Sequence, residues 1–145
     1  MSDPQTRHSF TTLSDPRVGA LVLQAYLEMV ARKNHNGAFD LVPTKNVMLV
    51  EGSTDGGRDW EPAAIAMFMY SDRRVMWLDL LHVFEAWRGR GLARSIFEVL
   101  KKLAREANML SLEYGTDVNN TSMRSVAKRL GHREMAVLVS VPIEE

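Results

Sequence analysis

The six residues Arg88-Gly89-Arg90-Gly91-Leu92-Ala93 constrain this chain more than any others. The apolar run Met76-Trp77-Leu78-Asp79-Leu80-Leu81-His82-Val83 precedes them. A helical pattern follows, with Leu92, Ile96, Phe97, Leu100, Leu103, Ala104 and Ala107 on one face. Strand, glycine-bearing turn and helix start together make a device for holding an anion. Glycine lets the backbone approach a ligand. The first amides of a helix have no partner within it and point outward along a positive dipole end. Arg88, Arg90 and Arg94 add full charges, so the stretch reads as a diphosphate-binding turn.

Two common diphosphate fingerprints do not fit. The third glycine of the dinucleotide fingerprint is replaced by Arg94, and no G-x-x-x-x-G-K-[ST] is present. The stretch instead resembles motif A of the GNAT superfamily of acyl-CoA N-acyltransferases, [QR]-x-x-G-x-[GA]. Arg88, Gly91 and Ala93 fill its fixed positions. The segment from Asn120 to His132, an Asn followed by a short helix and Leu130-Gly131, resembles the family's motif B. The resemblance is good from Met76 to Gly131 and vague before that.

That resemblance implies an α/β (α+β) fold, with a mixed, mostly antiparallel sheet of six to seven strands flanked by helices. It also implies that the sheet splays between strands four and five, where an acyl-pantetheine enters. At 145 residues the chain is expected to form one domain, 1–145. The pattern itself gives a first strand over 8–13, then a helix from a Ser14 cap to about Asn34 with Pro16 in its first turn. A loop or short helix spans 34–46. Strands are expected over 47–51, 63–70 and 74–83, the last apolar on both faces and so central. The main helix covers 92–107, a fifth strand 110–115, a short helix 122–130 ended by Gly131, and a last strand 135–141. The helix after residue 91 makes strands four and five a parallel pair.

Composition narrows the function classes. No apolar run approaches the roughly 20 residues of a membrane span, and the N-terminus lacks signal-peptide regions. With no cysteine, the chain has no disulfide, thiolate ligand or Cys nucleophile, which fits a cytoplasmic protein. His8, His35, His82 and His132 lack metal-ligand spacing, so no metal is expected. Net charge is zero but uneven. Residues 88–133 carry 10 basic and 4 acidic side chains, while residues 1–87 carry 8 and 11. The basic block coincides with the two motif segments and suits the polyanion CoA. Aromatics do not interleave with the bases, which argues against a nucleic-acid surface.

The resemblance implies an N-acetyltransferase that moves acetyl from acetyl-CoA to a primary amine by direct attack in a ternary complex. The acceptor would be a small molecule or a protein or peptide. Arg88, Gly89, Arg90, Gly91, Leu92, Ala93 and Arg94 would form the cofactor turn. Leu81 and Val83 would pair their backbone edges with the pantetheine, and Asn120 would contact its arm. Three residues are candidate bases: Asp79 in its apolar run, His82 near the splayed end, and Glu113 in Ser111-Leu112-Glu113-Tyr114. Glu28, His35 and Asp40 lie where the acceptor would bind. The sequence departs from the family where a Tyr is usual (Ala127) and where a Phe is usual (His132). Those departures motivate a rival, a CoA-binding regulatory or interaction module without turnover. The basic block motivates another, a toxin-like acetyltransferase acting on aminoacyl-tRNA. An exposed edge at 135–141 would suit a homodimer.

Overall fold

A computed structural model describes residues 3–31, 41–116, 120–135 and 141–143. Five strands form one sheet in the order β1 (Gln5–Thr12), β2 (Asn46–Ser53), β3 (Glu61–Tyr70), β4 (Val75–Val83) and β5 (Ser111–Tyr114). The first three pairings are antiparallel and β4–β5 is parallel. Three helices accompany it: α1 (Pro16–Ala31), α2 (Leu92–Glu106) and α3 (Thr121–Arg129). The class is as the pattern requires, with five strands among the described residues rather than six or seven. The expected last strand, the tail of the first helix, His35 and Asp40 fall largely or wholly outside the described residues.

The two long helices cover opposite faces. Val18, Val22 and Ala25 of α1 pack on Val47, Ile65, Met67, Leu80 and Phe84. Leu92, Ile96, Phe97, Leu100 and Ala104 of α2 pack on Met48, Ala66, Phe68, Met76 and Leu78. Each fully buried side chain of this size contributes about 1.5–3 kcal/mol, so these two stripes fix where the helices lie. The α1 cap is Asp15 rather than Ser14. Its Oδ1 accepts from Arg17 N at 3.0 Å, whereas the Ser14 hydroxyl bonds Thr12 at 2.6 Å. Aspartate offers the first-turn amides a charged acceptor beside the positive dipole end.

β4 changes face along its length. Its pairing with β3 skips Asp79, since Met67 opposes Leu80 while Phe68 opposes Leu78. One extra residue in a strand reverses the alternation beyond it. Leu78 therefore faces α2, Leu80 and His82 face α1, and Leu81 and Val83 face α2. The parallel pairing with β5 stops at Leu78↔Tyr114. From 79 to 83 the far edge of β4 has no strand partner among the described residues, so the β4–β5 pairing ends at the bulge.

Candidate functional site

Past Val83 the chain makes a single 3-10 turn, Glu85–Trp87, before the glycine segment. Trp87 anchors it. Its ring is buried, and its Nε1 donates to Glu61 Oε1 at 2.8 Å. The six-membered ring of the indole packs on Gly52 of β2, where any Cβ would overlap it. Arg88 then ties the turn back to the strand, its Nε donating to Val83 O at 3.0 Å. Arg90 lies over the Trp87 ring at 4.8 Å from its centroid. These contacts give Arg88 and Arg90 roles in supporting the turn.

Gly89 and Gly91 both have φ +75°, in the left-handed region that disfavours side chains. Gly91 is the residue immediately before α2, and its carbonyl receives Ser95 N at 3.1 Å. Arg88 to Gly91 are exposed, and a Cβ built on either glycine would meet no protein atom within 4 Å. The amides of Leu92 and Ala93 come at the helix start, where no preceding turn accepts from them. Leu92 itself is buried against the sheet and Ala93 half-buried, while Arg94 is exposed. The donors, the open face and the guanidinium groups together fit a diphosphate. The fit rests on backbone shape, not on any bound group.

The candidate bases separate in space. Asp79, at the bulge, is buried and paired with buried Lys45, Nζ to Oδ1 3.2 Å. Lys45 escaped the sequence reading, because a lysine leading into a strand ordinarily signals solvent. His82 is buried on the α1 side, and its Nε2 is 2.5 Å from Glu28 Oε2. Its ring also meets Phe84 edge-on at 5.2 Å. Burial pushes the Glu28 carboxyl up, but the His82 hydrogen bond and charge, Gln24 and the Arg88 charge more than offset it. Its pKa therefore ends below the usual carboxylate range. Glu113 opposes Trp77 in the β4–β5 register and accepts from Ser111 Oγ at 2.7 Å. It thus stands before the bulge, on the paired stretch, away from His82.

The second motif builds the other wall. Asn120 caps α3, its Oδ1 accepting from Met123 N at 3.1 Å. Gly131, at φ +76°, closes that helix, with His132 N bonding back to Ala127 O at 2.9 Å. His132 then folds under α2 against Phe97, ring centroids 4.7 Å apart. Its Nδ1 is 2.6 Å from the Tyr114 hydroxyl. Burial raises the Tyr114 pKa, while burial and the Lys101 charge lower that of His132. Both shifts favour the neutral pair, in which Tyr114 donates to His132. Thus the imidazole at the usual Phe position keeps an aromatic's packing role and adds a hydrogen bond. Among the described residues no cluster of three or more His, Cys, Asp or Glu could hold a metal ion, and no helix is long and apolar enough to cross a membrane.

Comparison with known proteins follows this geometry. The family model described as "Acetyltransferase (GNAT) family" matches residues 43–132. No curated protein matches the chain. Among solved structures, ribosomal-protein-alanine N-acetyltransferase from Brucella melitensis biovar Abortus 2308 superposes with a TM-score of 0.65 at 16% identity, over 97% of this chain and 99% of that one. An aminoglycoside acetyltransferase from an uncultured soil metagenomic sample gives 0.66 at 8% identity, over 96% and 97%. Aminoglycoside N-acetyltransferase AAC(6')-Iy in complex with CoA gives 0.64 at 14% identity, over 98% and 97%. At such identities the likeness is one of fold.

Proposed function

The chain belongs to the GNAT acetyltransferase family, and we propose that it transfers acetyl from acetyl-CoA to a primary amine by direct attack in a ternary complex. One observation carries this reading. An exposed turn with two left-handed glycines opens α2 after a strand whose last five residues have no strand partner on that edge among the described residues. The turn's amides and Arg88, Arg90 and Arg94 suit a diphosphate. The edge of β4 from Asp79 to Val83, carrying Leu81 and Val83, suits the amide groups of a pantetheine laid alongside it. A backbone amide on that edge would meet the oxyanion as the carbonyl becomes tetrahedral.

Of the three candidate bases, His82 is best supported, because it sits past the bulge, beyond the end of the β4–β5 pairing. Asp79 is held by Lys45 Nζ at 3.2 Å, which suits a structural pair. Glu113 stands on the paired stretch. Asn120 supports the fold of α3 through its cap and would meet the pantetheine only with its remaining polar atoms.

The test is thermal. Acetyl-CoA that binds only the folded protein raises its melting temperature with dose, worth about 2.7 kcal/mol at a hundred times Kd. Free CoA then accumulates when amines are supplied. An unmoved melting temperature at saturating acetyl-CoA rejects the reading. Ala127, in place of a tyrosine on α3, favours one second reading, a CoA-binding module without turnover. Binding without CoA release across small amines, peptides and aminoacyl-tRNA would select it.

A further inference from the structure

We propose that Glu28 is the group that meets the acceptor, holding its ammonium while His82 fixes the carboxylate from behind, an inference that rests on the acetyl-transfer reading above. The acceptor class that follows is a protonated primary amine carried on a short apolar body.

Three observations converge on Glu28. First, it belongs to two environments at once. Val18, Val22 and Ala25 turn α1 toward the sheet. Ala20, Leu23, Gln24, Leu27 and Ala31 line a shallow groove on its outer side, and Glu28 completes that lining. Leu23 and Leu27 are each 57% exposed, so the groove offers an apolar floor with a carboxylate at its rim. Second, the carboxylate is the accessible half of the His82 pair. Its side chain is 37% exposed, whereas that of His82 is 3% exposed. A substrate coming from the groove therefore meets the carboxylate before the imidazole. Third, His82 stands beyond the bulge, between Leu81 and Val83, on the stretch of β4 past the end of its pairing with β5. The pair thus links the outer side of α1 to the strand along which the thioester would lie. The lowered Glu28 pKa supports the same role, because the group stays ionised where an amine is protonated.

The proton count closes. The ammonium, held by the Glu28 carboxylate, gives one proton to water. The freed amine nitrogen forms a C–N bond to the thioester carbonyl carbon. The C–S bond breaks and its electron pair leaves on sulfur. The second N–H proton, acidified by the new bond, goes to the thiolate.

A bland role competes, namely a tie that clamps α1 to β4. Glu28→Gln separates the two, since an amide keeps a hydrogen bond to His82 but loses the charge. The probes are 2-phenylethylamine and its neutral counterpart 2-phenylethanol, titrated into protein saturated with CoA and followed by calorimetry. The wild type should bind the amine at least about tenfold more tightly than the alcohol. E28Q should erase that preference and raise KM for the amine about 10- to 100-fold, with the acetyl-CoA thermal shift intact. Equal wild-type binding of amine and alcohol overturns the proposal, as does no amine binding or an E28Q protein that matches the wild type. Any of these with acetyl-CoA still bound refutes the anchor alone. Failure of wild-type protein to bind acetyl-CoA refutes the acetyl-transfer reading beneath it.

Discussion

Gly91 shows how much a single backbone angle decides at this site. At φ +75° an L side chain crowds its own carbonyl, yet the space beyond its Cα holds no protein atom within 4 Å. Gly91→Ala should therefore cost about 1–2 kcal/mol of folding stability in urea titrations. Gly91→Val should in addition abolish most of the acetyl-CoA thermal shift, because its methyl groups stand where a diphosphate would approach the amides. A valine variant that binds acetyl-CoA as the wild type does would move the cofactor site elsewhere. His132 makes a different point. Its folded-state pKa is depressed by burial and by the Lys101 charge, so the native protein binds fewer protons than the unfolded chain near that pKa. Its contribution is intact above the unfolded value of about 6.5 and is lost as pH falls from there toward the folded value. Stability curves against pH should show that decline, and His132→Phe should flatten it. An unchanged slope in the variant would assign the decline to other groups.

β4 carries the most consequence among the elements, and its key feature was the least legible. Period-two reading cannot locate a bulge in a run apolar on both faces, so the switch at Asp79 was hidden. The polar partners were hidden too. Glu28 and His82 are 54 positions apart, and nothing local couples them. The α2 stripe and the two glycines were readable because local rules, a 3.6-residue period and a turn before a helix start, suffice to predict them. The Lys45–Asp79 pair gives the test at this scale. Both side chains are buried, at 7% and 6% exposure. Lys45→Met should cost about 3–5 kcal/mol in urea denaturation, since it removes the cation beside a buried carboxylate. Combining it with Asp79→Leu should recover a large part of that loss. Full additivity of the two substitutions would mean the pair does not act as a unit.

Across the whole molecule, charge and layering suit the fissure proposed for the cofactor at the far end of β4. The basic excess of residues 88–133 falls on the elements that flank it, α2 and α3, while residues 1–87 are net acidic. A polyanion approaching from the α2 side and a cation approaching from the α1 side would each meet opposite charge. Acetyl-CoA affinity should accordingly fall as salt rises from 0.05 to 0.5 M, over which the screening length drops from roughly 14 to 4 Å. A flat salt series would show that backbone amides, not side-chain charge, supply the attraction. The three-layer architecture was inferable from the order of elements, and the parallel β4–β5 pair from the crossover between them. Neither inference could show that Trp87, which fixes the bend before α2, needs the bare backbone of Gly52 two strands away. One methyl group set on that remote strand would act as a shim under the indole. The bend would tip out of line with the fissure, and a residue touching no substrate would have retuned the enzyme.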